Sequence, residues 1–272
     1  MTSTSVIRAV QTADGYELKY RVWSSSREGP GATVMFLNGV MSHSGWFEPL
    51  SAGLTSAGIK MVGADRRGTG ENTVLRGDAP SVRHLVGDAA AIAAAEHAEG
   101  ATLIVVGWCW GAVLAIHLYP ALASRLDGIV FVAPGLCPTE GVSSKAALDH
   151  PGEGPEEEVC FPSPLSEDLF TSGPALNDFI LRDPLRLKAF SRRFRAIMDR
   201  MALFAPRSLP KIEVPCMLVL ADDDRATDNA RTREVFDAIS QLEHVSVPGQ
   251  HGVQFDAPEE LVAAVIEFVA RR

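Results

Sequence analysis

Residues 105–115, VVGWCWGAVLA, place a cysteine where a nucleophile could work. A strand-forming run ends in Gly107-Trp108-Cys109-Trp110-Gly111, and a helix-like apolar stretch follows. In a G-x-nucleophile-x-G turn the central residue sits on a strained strand-to-helix elbow, and the glycines let strand and helix approach closely. The positive end of the following helix would also favour a thiolate at Cys109. A buried cysteine packed between tryptophans is the plainer alternative. Strand, turn and helix in register weigh against it.

A thiol needs a base. Of the seven histidines, His251 is the strongest candidate, in the loop PGQHGVQFDAP between a last strand-like run and a terminal helix, flanked by Gly249 and Gly252. His84, His97 and His117 fall within helical patterns and read as surface or packing residues. An acid to orient the base is expected just past the strand-like CMLVLA, where DDDRATDN offers Asp222, Asp223, Asp224 and Asp228. Distance from the strand end favours Asp224, and Asp228 reads as the cap of a helix starting near residue 229. Two backbone N–H groups should face a developing oxyanion. One is that of Trp110; the other is that of Val40 in NGVMSHSGWF, where Gly39 allows the turn. His43 in the same loop either touches substrate or supports the loop.

These groups need a scaffold. The runs VIRAV and YELKYRVW, joined through Asp14-Gly15, read as an antiparallel hairpin. Residues 33–37, 59–64, 102–107, 128–133 and 216–221 are nearly continuously apolar, as parallel strands covered on both faces are, and 244–247 adds a final strand. Helical patterns occupy 46–57, 81–98, 110–123, 229–240 and 257–271, the last with Asp256 as its expected cap. Alternating strand and helix imply an α/β fold with a mostly parallel sheet. Residues 135–210 break the alternation: no strand signal, an acidic proline-rich piece in which 150–158 read as a linker, then a helical stretch broken at Pro184. The expected organisation is a core formed by 1–134 and 211–272, with 135–210 inserted as a helical lid. Met41, Trp108, Phe161, Phe170 and Phe179, with Leu165 and Leu181, are expected to surround an apolar small-molecule pocket.

Composition narrows the partners. A formal net charge of −9 argues against nucleic acid, since no basic stripe is present to neutralise phosphates. No run of 18 apolar residues suggests a membrane span. The start of the chain lacks a secretory pattern. The four cysteines, Cys109, Cys137, Cys160 and Cys216, show no metal-ligand spacing. The expectation is a cytoplasmic protein with reduced thiols and neither metal nor cofactor.

Taken together, these motifs resemble the α/β-hydrolase superfamily, and more closely its monoacylglycerol lipase/lysophospholipase branch. The branch's HG-x-x-x-HSG loop stands here as NGVMSHSG, with Asn38 in place of histidine; its D-x-R-G-x-G loop stands as DRRGTG (65–70). The elbow is GWCWG, the acid loop is DDDRATDN, and the lid stretch FILRDPLRL is also similar. The resemblance implies an eight-stranded, mostly parallel sheet with a lid, and the chain order nucleophile, acid, histidine. That order agrees with Cys109, Asp224 and His251. The departure is the thiol itself, although dienelactone-hydrolase-like enzymes also carry cysteine at an elbow. A tetrahedral adduct of a thiolate with an oxygen ester collapses back to substrate, because thiolate is the better leaving group. A thioester or activated ester removes that handicap. The expected function is therefore a thioesterase or acyltransferase working through an acyl-Cys109 intermediate on a small-molecule acyl substrate, free or carrier-bound. Carboxylic ester hydrolysis of the lipase type and non-catalytic ligand binding are the alternatives.

Overall fold

The computed structural model describes residues 4–25, 31–140, 142, 155–163 and 165–272. The chain opens with β1 (Ser5–Gln11) and β2 (Glu17–Trp23), an antiparallel hairpin turned at Asp14-Gly15, where Gly15 has φ +80°. The core follows as β3 (Thr33–Leu37), α1 (Glu48–Ser56), β4 (Lys60–Ala64), α2 (Val82–Glu96), β5 (Leu103–Trp108), α3 (Trp110–Leu122) and β6 (Gly128–Val132). Between β6 and the next core strand lie β7 (Val159–Pro162), α4 (Pro174–Arg182), β8 (Ala189–Ser191) and α5 (Arg192–Ser208). The core resumes with β9 (Cys216–Ala221), α6 (Asn229–Phe236), β10 (Leu242–Val247), α7 (Val253–Asp256) and α8 (Pro258–Ala270).

Eight strands form one sheet in the order β1-β2-β4-β3-β5-β6-β9-β10. The pairs β1–β2 and β2–β4 are antiparallel, and all others are parallel. Every residue of β3, β5, β6 and β9 is buried, which explains why these strands read as unbroken apolar runs. The register pairs Leu37 with Gly107 and Trp108 with Val132, so the carboxyl ends of β3, β5 and β6 lie level. Connections leave β3 in one direction, to β4, and β5 in the other, to β6. Such a switch point is where open α/β sheets place their sites.

Two expectations need correction. Residues 135–210 are not without strands: β7 and β8 pair antiparallel as a small second sheet. At four and three residues they are too short to show alternation in sequence. Asp256 does not cap the last helix, whose N-cap is Ala257 with no side-chain bond. Asp256 instead accepts from Gln250 N–H at 2.9 Å and from Thr171 Oγ1 at 2.5 Å, fastening the histidine loop. Residues 150–154 of the expected linker lie outside the described residues. The break at Pro184 is present, with α4 ending at Arg182 and Asp183 extended at ψ 115°, as the residue before a proline prefers. Among the described residues no helix is long and apolar enough to cross a membrane.

Candidate active site

Cys109 stands between β5 and α3 with φ 55° and ψ −123°, a left-handed conformation rare for a residue with a Cβ. Hydrogen bonds hold it there. Its N–H donates to Val132 O at 3.0 Å, and its carbonyl accepts from Gly135 N–H at 2.9 Å and Ala112 N–H at 3.1 Å. The flanking glycines are required by close approach. A Cβ on Gly107 would lie 2.6 Å from Ala112 Cα, and one on Gly111 would lie 2.1 Å from Leu37 O. The thiol-bearing residue is 6% exposed and faces a cavity that His251 also lines.

His251 and Asp224 come from separate loops, after β10 and β9. Nδ1 of His251 donates to Asp224 Oδ2 at 2.9 Å, with both side chains essentially buried. Asp224 is further fixed by Ala226 N–H (2.8 Å), Thr227 N–H (3.0 Å) and Thr227 Oγ1 (2.8 Å). Asp222 and Asp223 face solvent, and Asp228 caps α6 through Arg231 N–H. Burial works against the Asp224 carboxylate, but the His251 charge and these hydrogen bonds outweigh it and hold its pKa below the ordinary value. Burial likewise works against a charged His251. Interactions with Cys109 and Asp224 overcome it and push the imidazole up to about 10. The other ring nitrogen, Nε2, is buried and has no hydrogen-bond partner among the described residues. The loop is pinned from behind by Trp108 Nε1 donating to His251 O at 2.8 Å and by Gly252 N–H donating to Phe170 O at 2.8 Å.

Opposite the thiol lies the loop after β3. A Cβ on Gly39 would stand 3.2 Å from Cys109 Cβ and 3.5 Å from Sγ, and one on Gly135 would stand 3.1 Å from Trp110 N and 3.3 Å from Sγ. Two glycines therefore leave room beside the sulfur. Among the described residues, no protein acceptor takes the N–H of Val40 or of Trp110.

The cavity beside Cys109 measures about 210 Å³, and its walls include Val40, Trp110, Leu136, Leu165, Phe190 and Met198. A larger groove of about 1050 Å³ runs along the other face of α5, and none of Cys109, His251 or Asp224 lines it. Of the residues expected from sequence to surround the pocket, Leu165 lines the cavity and Met41, Trp108, Phe161, Phe170, Phe179 and Leu181 do not. Trp108 and Phe170 are buried behind His251, each 5.8 Å from its ring. Met41 holds the segment after α4, its carbonyl accepting from Leu187 N–H at 2.8 Å. Phe161 stacks on Phe190, 6.5 Å away, and does not line the cavity. Phe179 and Leu181 are 47% and 53% exposed, on the outer side of α4. Sequence reasoning missed the wall supplied by α5, although Arg195, Met198, Asp199 and Ala202 recur at helical spacing and form one face.

His43 is also settled. Its Nε2 pairs with Asp183 Oδ2 at 2.9 Å in a buried contact that Trp46 Nε1 joins at 2.6 Å. It supports the loop and ties it to Asp183, at the end of α4. Burial opposes the Asp183 charge, yet the hydrogen bonds from His43 and Trp46 carry its pKa down to about 2.

The eight-stranded sheet, the elbow and the level loops at its carboxyl edge define an α/β-hydrolase. The family model described as serine aminopeptidase, S33, matches residues 28–251, and the chain belongs to that family. An uncharacterized abhydrolase domain-containing protein of Dictyostelium discoideum is 23% identical over 99% of this chain. The chain spans 29% of that relative's length. Among solved structures, a soluble variant of monoglyceride lipase from Saccharomyces cerevisiae superposes with a TM-score of 0.83 at 14% identity, covering 100% of this chain and 97% of its own. The Paleococcus ferrophilus monoacylglycerol lipase has a TM-score of 0.77 at 19% identity, covering 94% of this chain and 99% of its own.

Proposed function

We propose that Cys109, His251 and Asp224 act as nucleophile, base and orienter of an acyl-transferring enzyme, a thioesterase or acyltransferase for thioesters or activated esters of a compact apolar acyl group. The observation that carries this reading is a thiol held at a left-handed elbow, sharing a cavity with a histidine whose far nitrogen is bonded to a buried carboxylate. The Cys109 thiolate attacks the acyl carbonyl, a C–S bond forms, and the carbonyl electron pair moves to oxygen. The N–H groups of Val40 and Trp110 receive that oxyanion. Collapse expels the donor's thiolate, which takes the proton held at His251 Nε2. Water, an amine or an alcohol then attacks the acyl-Cys109 thioester, His251 takes its proton, and the Cys109 sulfur leaves.

Apolar walls support an apolar acyl group, and the size of the cavity argues for a small one. About 210 Å³ lies below the roughly 300–1,000 Å³ usual for small-molecule pockets. Short to medium acyl thioesters should therefore turn over faster than long-chain ones. The fold shared with the two monoacylglycerol lipases favours oxygen-ester hydrolysis as the second reading.

Intact mass spectrometry with a hexanoyl thioester donor tests the proposal: an acyl adduct on Cys109 is expected, and Cys109→Ala should abolish it. Cys109→Ser should gain relative activity on oxygen esters and lose relative transfer to amines. A serine variant that matches the wild type on every donor and acceptor would rule out a chemical purpose for the thiol.

A further inference from the structure

Arg66 carries a charge that nothing so far explains. It follows β4 and Asp65, is 5% exposed, and forms no ion pair with any of the described residues. Its neighbour Arg67 pairs with both Asp14 and Asp88. Asp65 turns away, accepting from Ser44 N–H at 2.6 Å and Ser44 Oγ at 2.9 Å. The Arg66 guanidinium lies instead between two aromatic faces, 5.4 Å from the Trp110 ring and 4.9 Å from that of Phe194. Burial lowers its pKa to about 9, so it remains a cation at neutral pH. A buried cation without a carboxylate is costly and needs a compensating interaction.

The compensation lies in where its donors point. Nη1 donates to Gly39 O at 2.8 Å, and Nη2 donates to Val40 O. Gly39 C=O and Val40 N–H belong to the same peptide unit, which is trans, so the two groups point in opposite directions across one plane. Asn38 Nδ2 donates to the same Gly39 oxygen at 3.0 Å. Two donors on that oxygen fix the plane and polarise the N–H on its other side. The peptide itself lies against the nucleophile, where a Gly39 Cβ would be 3.2 Å from Cys109 Cβ.

We propose that Arg66 is a positioning residue for the oxyanion hole, holding the Gly39–Val40 peptide so that Val40 N–H meets the oxyanion formed when Cys109 attacks an acyl carbonyl. The proposal rests on the catalytic reading of Cys109, and the two can fail separately.

Two probes of the same sulfur provide the test. An alkyl trifluoromethyl ketone adds to Cys109 through a new S–C bond, and its carbonyl pair becomes an oxyanion. Iodoacetamide also forms an S–C bond but expels iodide, so no oxyanion arises. In Arg66→Met, kcat for a thioester and affinity for the ketone should fall together by roughly 10- to 100-fold, less than the loss of a whole oxyanion donor, while Cys109 alkylation changes less than about twofold. Arg66→Lys keeps the charge without the planar fork and should lose a smaller factor in the same two readouts. If circular dichroism shows Arg66→Met unfolded, Arg66→Lys alone carries the comparison. Ketone affinity unchanged in the variants, or alkylation falling in parallel with it, overturns the role of Arg66. Wild-type protein that is alkylated at Cys109 but neither binds the ketone nor turns over thioesters defeats the catalytic reading, and this proposal with it.

Discussion

At Cys109, His251 and Asp224 the proposed chemistry depends on how charges are shared in a buried site. Burial alone would discharge the imidazole, whereas Cys109 and Asp224 together push its pKa up to about 10. A folded pKa above the ordinary value of 6.5 gives a stabilising contribution that is complete below about 6.5 and lost as pH rises through about 10. An NMR titration of the His251 ring should therefore show a midpoint near 10, falling in Cys109→Ala; an unchanged midpoint would mean that the thiol does not act on the ring. Asp224→Asn should keep the fold but lower kcat on the order of 10³- to 10⁴-fold, because the amide no longer orients and balances an imidazolium. A variant with near-wild-type turnover would remove Asp224 from the mechanism. Both residues were legible in sequence because each stands at a loop whose place follows from a strand end. Gly135 and Arg66 were not. Their roles arise from contacts with Cys109, Trp110 and the residue 39–40 peptide, between segments far apart in the chain.

The element that matters most is the junction of β5 and α3. Gly111 brings α3 against the end of β3, and an added Cβ would lie 2.1 Å from a backbone oxygen that cannot move alone. Gly111→Ala should cost about 3 kcal/mol or more, read as a lower urea midpoint with unchanged slope. Gly87 provides the control. It lies inside α2, and an added Cβ meets nothing within 4 Å. Gly87→Ala should stabilise the protein by about 0.5–1 kcal/mol through helix propensity. Similar effects at the two positions would mean that close packing at the elbow does not govern stability.

Across the whole molecule, the inserted segment is joined to the loops that carry Gly39 and His251, at both ends of the site. Asp183 binds His43 and Trp46 of the loop after β3, and Phe170 O holds the histidine loop through Gly252 N–H. Removing one partner of the buried His43–Asp183 pair leaves the other unmatched, so Asp183→Leu should cost about 3–5 kcal/mol. It should also expose α4 to protease before the core unfolds; simultaneous digestion of both would show that the contact does not anchor the insertion. Because the Asp183 pKa is carried below the ordinary 3.8 to about 2, its contribution is complete above the ordinary carboxylate range and lost only as pH falls through about 2. Asp183→Asn should accordingly weaken the protein at pH 5 and 7 alike.

By itself the sequence determined the sheet and the elbow. The reason is local: buried parallel strands must be apolar along their whole length, and a strained turn between strand and helix accepts few residue types. The hairpin at Asp14-Gly15, the break at Pro184 and the Asp228 cap were legible for the same reason. Only the tertiary structure decided which apolar residues meet the cavity. Aromatic and leucine positions in the insertion look alike along the chain. The docking of α4 and α5 turns Phe179 outward, buries Phe170 behind the histidine, and gives the wall to Phe190 and Met198. Which side chain faces a pocket depends on the rotation and crossing of whole elements. No spacing within one segment encodes that.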